Sequence, residues 1–417
     1  MAVAVAGAAW GESSLPPGIA PELPTPLSLT QAQALAAQRN RELIVARRAL
    51  EAARADVKTA SQGPNATFSV NTTAINPSAG IGAGRPWDKT VDTTVRVDQP
   101  VERGGKRELR IAAAEHAVAA SAQDLADTAR RTRGAVAAAY YDLVLAQRRL
   151  AILRDSARLY RNLVDAAEKR LRAGDVAPTD VARIHIDAVR AGNDLAEAEA
   201  QLFQAQSALA YLLGAEAVAS RLQAVDDWPA LEPVPPDADL EQLISRRPDV
   251  QAAQARLAMA DKNRELARAL RKRDVIVGVQ YEHFPPDGRS MYGFGISVPL
   301  FTGSDYAGEI RRAEVDRLAA EDAVERTRAQ ARTEVMQARA ALQVARERVL
   351  RYRGDILRQA QRAADAAEFA YLHGAMGVMD LLDARRTLKA TLLEAENAQA
   401  DYARAVAAWK MVVEADQ

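Results

Sequence analysis

The chain contains two related halves, and this internal repeat limits its possible folds more than any other feature of the sequence. The segment VDQPVERGGKRELRIAAAEHAVAA aligns with ISVPLFTGSDYAGEIRRAEVDRLAA at an offset of 199 residues. Further on, RLRAGDVAPTDVARI aligns with YLHGAMGVMDLLDAR at an offset of 200 residues. The repeat predicts two structural copies at 29–214 and 239–417, a linker at 215–238, and a leader remnant with an extended strap at 1–28.

Each copy shows the pattern of a helix, two strands, a very long helix, a tight turn and a further helix. Apolar residues recur every seven positions along the long helices, which is typical of coiled-coil packing. The predicted helix 102–172 has 71 residues and would be about 107 Å long. Its companions 29–60 and 179–213 nearly match this length when they are stacked end to end, so the pattern predicts a rod or tube about 100 Å long. The matching helices of the second copy are predicted at 305–372, 239–271 and 380–414.

Four segments of about 10 residues alternate between apolar and polar side chains, as strands that cross an outer membrane do. A soluble hairpin with one buried face has the same alternation, but the aromatic residues gathered in these segments favour a barrel. Four strands cannot close a barrel, so copies of the chain would have to share one. The strands are predicted at 66–76, 89–99, 274–284 and 291–301, and strand parity places Asp92, Arg96 and Asp98 on the face toward the lumen.

Composition excludes several classes of function. Lys plus Arg equals Asp plus Glu, 55 against 55, which argues against a nucleic-acid partner. Cysteine is absent and the four histidines are scattered, so we predict no enzyme, no cofactor and no specific metal site. The first ten residues resemble the tail of a signal peptide, although a small-residue leader has the same look. A proline-rich strap follows, and without a cysteine no lipid anchor is expected.

The two hairpins and the long helices together resemble the TolC family of outer-membrane efflux channels, from Leu29 to Glu414. Within that family, QPVERGGKRELRIAAAE (99–115) and AAYYDLVLAQRRL (138–150) are similar to the branch that serves cobalt–zinc–cadmium efflux pumps. The resemblance implies an α+β membrane protein. In that fold a homotrimeric, 12-stranded β-barrel set in outer-membrane lipid continues into a long periplasmic α-helical barrel.

The function that the resemblance implies is a passive exit duct for heavy-metal cations of the zinc, cobalt, cadmium, nickel or copper class. Such a duct lies in the outer membrane of a Gram-negative cell. Its implied partners are a periplasmic adaptor, or membrane fusion protein, and an inner-membrane pump of the RND class. Two alternatives stay open, namely a duct for drugs or other small molecules and a soluble periplasmic coiled-coil adaptor or scaffold. Extraction from membranes without detergent would favour the scaffold.

The resemblance also assigns roles to the two predicted tight turns and to the helix starts that follow them. Carboxylates at Asp180, Asp380 and Asp383 could simply stabilise helix N-termini. The segment YLHGAMGVMDLLD matches the gating segment of the family, which implies a constricting tyrosine and paired acidic rings. Met376 stands where the archetypal channel has a basic residue. The implied gate comprises Tyr371, Asp380, Asp383 and Asp180, and the implied docking tips comprise Gly174, Asp175, Gly374 and Met376.

Overall fold

A computed structural model of the chain describes residues 26–75, 77–78, 85, 91–234, 240–284 and 289–413. Residues 1–25 of the predicted leader and strap lie outside this part. In chain order the elements are α1 (Leu29–Arg39), α2 (Arg41–Ser61), β1 (Thr67–Thr73), β2 (Asp92–Val101), α3 (Lys106–Ala173), α4 (Pro178–Leu213), α5 (Leu240–Arg246), α6 (Pro248–Ala269), β3 (Val275–Phe284), β4 (Arg289–Ser297), α7 (Ala307–Arg351), α8 (Leu357–Leu372) and α9 (Val378–Val413).

The helices form one layer in which α3 is the continuous member. Near the sheet the order across the layer is α2, α3, α6 and α7, and toward the far end it is α4, α3, α9 and α8. The 68 residues of α3 give it a length of about 100 Å. Helices α2 and α4 therefore share one side of α3 end to end, and α6 and α9 share the other.

The predicted single helices 29–60 and 239–271 are wrong, because each is broken once near its start. At the first break Asn40 has extended backbone, and its Oδ1 accepts the N–H groups of Glu42 and Leu43 at 3.0 and 3.3 Å. At the second break Arg247 is extended and Pro248 opens the new helix. Proline fits the first helical position because it has no N–H to leave unpaired there.

The long helices also differ from the prediction. Helix α3 starts at Lys106 and not at residue 102, since Gly104 and Gly105 adopt left-handed backbone that turns the chain from strand to helix. In the second copy a π-helical turn at Tyr352–Ile356 separates α7 from α8. The equivalent stretch of the first copy lies inside the unbroken helix α3. The two long hairpins are therefore not identical.

The four strands form one antiparallel sheet in the order β1-β2-β3-β4. Strand β1 ends at Thr73, before the predicted end at 76, because the next residue, Ala74, takes a left-handed conformation. Strand β4 ends at Ser297, short of the predicted 301. The register aligns Phe68, Val97, Val279 and Phe294 across all four strands. These side chains are exposed, and so are Val70, Tyr281, Tyr292 and Ile296 on the same face.

Two buried tyrosines fasten the linker across the middle of the helical layer. The Tyr140 hydroxyl lies 3.0 Å from the Leu27 carbonyl and 2.9 Å from Asp226 Oδ2. It also accepts the N–H groups of Val225 and Asp226 at 3.2 and 3.1 Å. Burial of the Tyr140 hydroxyl raises its pKa to about 12, and the Asp226 carboxylate adds to the rise. Tyr402 holds the next stretch in the same way, because its hydroxyl donates to the Ala230 carbonyl at 3.1 Å.

Candidate functional site

The two tight turns at the end of the helical layer share one backbone design. Gly174 and Gly374 are left-handed, with φ of 82° and 73°. In each turn the next residue's N–H bonds back to a helix carbonyl, Asp175 to Arg170 at 2.9 Å and Ala375 to Ala370 at 2.8 Å. This is the usual helix stop that glycine permits. The turns leave Asp175 exposed and Met376 half-buried at the tips of the hairpins.

Tyr371 contacts the first hairpin through a residue that the sequence did not single out. Its hydroxyl accepts a hydrogen bond from Arg170 Nη1 at 3.1 Å, and the Arg170 guanidinium lies 5.6 Å from the ring centroid. Arg170 is in the last turn of α3, whereas Tyr371 is in the last turn of α8. The tyrosine therefore bridges the two hairpins at their tips. Asp180 is half-buried in the first turn of α4, the helix that forms the first hairpin together with α3 and its Arg170.

Asp380 and Asp383 lie in the first two turns of α9 and are exposed. The residues between them, Leu381 and Leu382, are buried, so the two carboxylates share the face of the helix that points away from the core. Asp383 remains 81% exposed although it lies 3.4 Å from Arg386 Nη1. The helix therefore presents two carboxylates one turn apart beside the tip.

Two ion pairs farther from the tip also join the hairpins. Asp187 of α4, whose side chain is 6% exposed, accepts a hydrogen bond from Arg386 of α9. About two helical turns farther along α4, Asp194 Oδ2 lies 3.0 Å from Lys389 Nζ of α9. The hydrogen bond with Asp187, and then its charge, raise the pKa of Arg386. We call these two pairs and the Arg170–Tyr371 contact the hairpin clasp.

Asp92, Arg96 and Asp98 lie on β2, and their positions alternate with the exposed apolar row. Arg96 Nε is 2.8 and 2.7 Å from the two carboxylate oxygens of Asp98. Its Nη1 donates to Gln280 Oε1 of β3 at 3.3 Å. Asp92 pairs in register with Thr73 at the other end of the strand. The structure thus joins Arg96 to Asp98 and places Asp92 apart from them.

Among the described residues, His, Asp and Glu side chains form no group of three or more that could hold a metal ion. Within the same residues, every helix is too short or too polar to cross a lipid bilayer.

Comparison with a family model decides what kind of protein this is. The model described as outer membrane efflux protein matches residues 33–215 and 240–410, which together make up most of the chain. The chain belongs to the outer membrane efflux protein family. Its place is thus the outer membrane, and it is an efflux protein and not an enzyme. The family that the sequence motifs predicted is confirmed.

Two curated relatives carry names that concern metal ions. The cobalt-zinc-cadmium resistance protein CzcC of Cupriavidus metallidurans is 28% identical over 379 residues, which is 90% of this chain and 87% of that protein. The cation efflux system protein CusC of Escherichia coli is 28% identical over 271 residues, covering 61% of this chain and 58% of that protein. A crystal structure of CusC superposes with a TM-score of 0.78 at 21% identity and covers 92% of this chain and 91% of that one. The fold is thus that of an outer-membrane channel.

Proposed function

We propose that three copies of this chain form an outer-membrane exit duct for heavy-metal cations. The observation that carries the proposal is the continuity of an incomplete, outwardly apolar sheet with helices about 100 Å long. In the proposed duct the sheet crosses the membrane and the helices continue through the periplasm. The segments 29–214 and 239–417 act as two copies of one unit, joined by the linker 215–238 and preceded by the strap within 1–28.

The edges of the sheet support association with sister chains. Strands β1 and β4 each pair with one neighbour in the described residues, so each has a free edge. Free strand edges are not tolerated in lipid because their N–H and C=O groups lack partners. Three sheets of four strands give a closed barrel of twelve, within the range of bacterial barrels. The exposed apolar face would then meet outer-membrane lipid.

The edges of the helical layer support the same association. Within the described residues the large apolar side chains that helices expose lie on the two outer positions of the layer, and none lies on α3, α6 or α9. Lateral contact between copies would cover the exposed apolar side chains on both edges of the layer. One edge carries Val45, Ile186, Val189, Phe203 and Tyr211, and the other carries Val315, Leu318, Met336, Val344, Leu350, Ile356 and Phe369.

We expect a particle three times the 45.0 kDa mass of one chain when the protein is extracted in detergent. Native mass spectrometry after micelle removal measures this number directly. Electron microscopy of the same sample should show an elongated tube. A monomer that leaves the membrane without detergent would contradict the duct and favour a soluble scaffold.

The cargo is inferred from the relatives, whose names concern cobalt, zinc, cadmium and other cations. Deleting the gene should make its host more sensitive to one or more of zinc, cobalt, cadmium, nickel, copper and silver salts. The minimal inhibitory concentration of each salt, with and without a plasmid copy, measures this. Sensitivity only to dyes, detergents and antibiotics would indicate a duct for organic molecules.

Such a duct is passive, so other proteins must supply the energy and deliver the cargo. We infer that an inner-membrane pump of the RND class and a periplasmic adaptor do this. The hairpin tips, which carry Gly174, Asp175, Gly374 and Met376, are the natural docking points because they are the end of the layer farthest from the sheet. The gate lies beside them and comprises Tyr371, Asp380, Asp383 and Asp180.

Replacing Asp380 and Asp383 together with asparagine should lower the cation selectivity of the duct. In a trimer these carboxylates form two stacked acidic rings of three, and rings of carboxylates favour cations. We expect the ratio of K⁺ to Cl⁻ permeability in planar bilayers to fall by about twofold or more. Asp355→Asn is the matched control, since this exposed carboxylate lies up the hairpin in the π-helical turn. Equal ratios for all three proteins would refute the role.

A further inference from the structure

We propose that Asp98 determines the charge selectivity of the β-barrel by neutralising Arg96 on its inner face. The inference rests on the proposed duct, because it needs a lumen. It concerns a row of side chains at the helix-proximal half of the sheet, which we call the barrel belt. The belt comprises Arg96 and Asp98 of β2, Gln280 of β3, and the glycines Gly278, Gly293 and Gly295 of β3 and β4.

The register assigns the belt to the inner face. Arg96 aligns with Ser69, Gln280 and Gly293, and this row alternates along the strands with the exposed row of Phe68 and Phe294. Successive side chains of a strand point to opposite faces. Because lipid can accept the aromatic row and not the charged one, the belt faces water inside the barrel.

The glycines of the belt leave room for the side chains of Arg96, Asp98 and Gln280. A Cβ on Gly278 would lie 2.2 Å from Asp98 Oδ1 and 2.9 Å from Arg96 Nη2. A Cβ on Gly293 would lie 2.8 Å from Gln280 Cγ. Glycine weakens a strand and marks places where another group approaches its backbone closely. The ion pair therefore lies over strand positions that have no side chain.

Stability alone does not account for this pair. The Arg96 and Asp98 side chains are 32% and 24% exposed, and partly exposed pairs contribute little to folding. The pair has a larger effect on the electrostatic potential of the lumen than on the stability of the fold. Three uncompensated Arg96 guanidinium groups would form a positive ring that repels cations. In each chain Asp98 neutralises the Arg96 charge by direct contact.

Within the described residues, Asp98 is the carboxylate that forms an ion pair with Arg96. Glu282 aligns with Thr94, one inward-facing position from Arg96, whereas Asp92 aligns with Thr73 farther along the strand. Four residues of strand separate Asp92 from Arg96, which is about 13 Å. The Debye length at physiological salt is about 8 Å, so Asp92 is largely screened from Arg96. Asp98 therefore holds the compensating charge in direct contact with the Arg96 guanidinium.

The test measures reversal potentials across planar bilayers that hold the full-length protein under a KCl gradient. We expect Asp98→Asn to lower the ratio of K⁺ to Cl⁻ permeability by about twofold or more and Arg96→Gln to raise it. The double variant should return to the wild-type ratio. Ser69→Ala, a neutral change in the same row, should leave the ratio unchanged. Unchanged ratios, or shifts of one sign in both single variants, would overturn the proposal.

Two glycine variants keep the test decisive if Asp98→Asn does not assemble. Gly278→Ala displaces the Asp98 carboxylate without changing any charge and should shift the ratio in the same direction as Asp98→Asn. Gly295→Ala is its control, because that Cβ would lie 3.5 Å from Arg96 Nη2, an ordinary contact distance. Equal ratios for the two glycine variants would also count against the belt. A protein that inserts and does not conduct, either as wild type or with the hairpin clasp broken by Asp187→Asn and Tyr371→Ala, would refute the duct itself.

Discussion

Replacing Arg247 with alanine is expected to lower the free energy of unfolding by about 3 kcal/mol or more, because breaking a buried ion pair costs about 3–5 kcal/mol. Arg247 lies at the break between α5 and α6, and its side chain is 3% exposed. Its Nη2 donates to Asp249 Oδ2 at 2.7 Å and to Glu334 Oε2 of α7 at 2.6 Å. The alanine variant leaves both carboxylates without their cation. It also removes the tie between α6 and α7.

The pH dependence of stability should change in the same variant. Burial alone would raise the pKa of Asp249, but the hydrogen bond and the charge of Arg247, together with the charge of Arg130, outweigh it, so the pKa lies below its ordinary range. A lowered carboxyl pKa contributes stability above about pH 4, and this contribution is lost as the pH falls through the folded value. Because Arg247→Ala removes the main cause of the shift, its stability should fall less steeply below pH 4.

Urea unfolding of the detergent-solubilised protein, followed by circular dichroism at several pH values, measures both effects. Arg332→Ala is the matched control, because Arg332 of α7 also pairs with a carboxylate near the same break, Glu241. Both side chains of that pair are more than half exposed, so its loss should cost less than about 1 kcal/mol. Equal losses in the two variants would show that burial of Arg247 is unimportant.

The features that the sequence predicted well are those that local patterns specify. Alternation located all four strands to within a few residues, and the left-handed glycines at 174 and 374 located both tips. The break at Arg247 could also have been found, since Pro248 at a first helical position is a known start signal. The length match between 239–271 and 29–60 favoured one continuous helix in each copy, although the structure breaks both.

The features that the sequence missed depend on the relative rotation of long helices. One residue turns an α-helix by about 100°, so small changes of phase decide which side chains meet across two hairpins. The relative rotation of α3 and α8 brings Arg170 into hydrogen-bond contact with Tyr371. Nothing in the sequence around Arg170 indicates this contact. The π-helical turn at Tyr352–Ile356 was missed because the equivalent residues of the first copy continue as α-helix.

Breaking the hairpin clasp should open the tip of the proposed duct. The clasp holds the second hairpin against the first through Arg170–Tyr371, Asp187–Arg386 and Asp194–Lys389. Asp187→Asn removes the charge of its most buried carboxylate, and Tyr371→Ala removes both the hydroxyl and the ring that Arg170 contacts. With both changes the hairpins lose two of their three polar ties. We expect the single-channel conductance to rise several-fold, because the tip is the narrowest part that the family resemblance implies.

Planar-bilayer recordings of the double variant beside the wild type measure the conductance. In cells, the same variant should admit a large antibiotic that the intact outer membrane excludes, which gives an independent reading. Asp155→Asn is the matched control, because Asp155 pairs with Arg158 on the same helix and joins no hairpins. Each hydrogen bond to a charged group contributes about 1.5–3 kcal/mol, so losing two such ties should shift the open–closed equilibrium strongly. An assembled double variant with wild-type conductance would show that other contacts hold the tip closed.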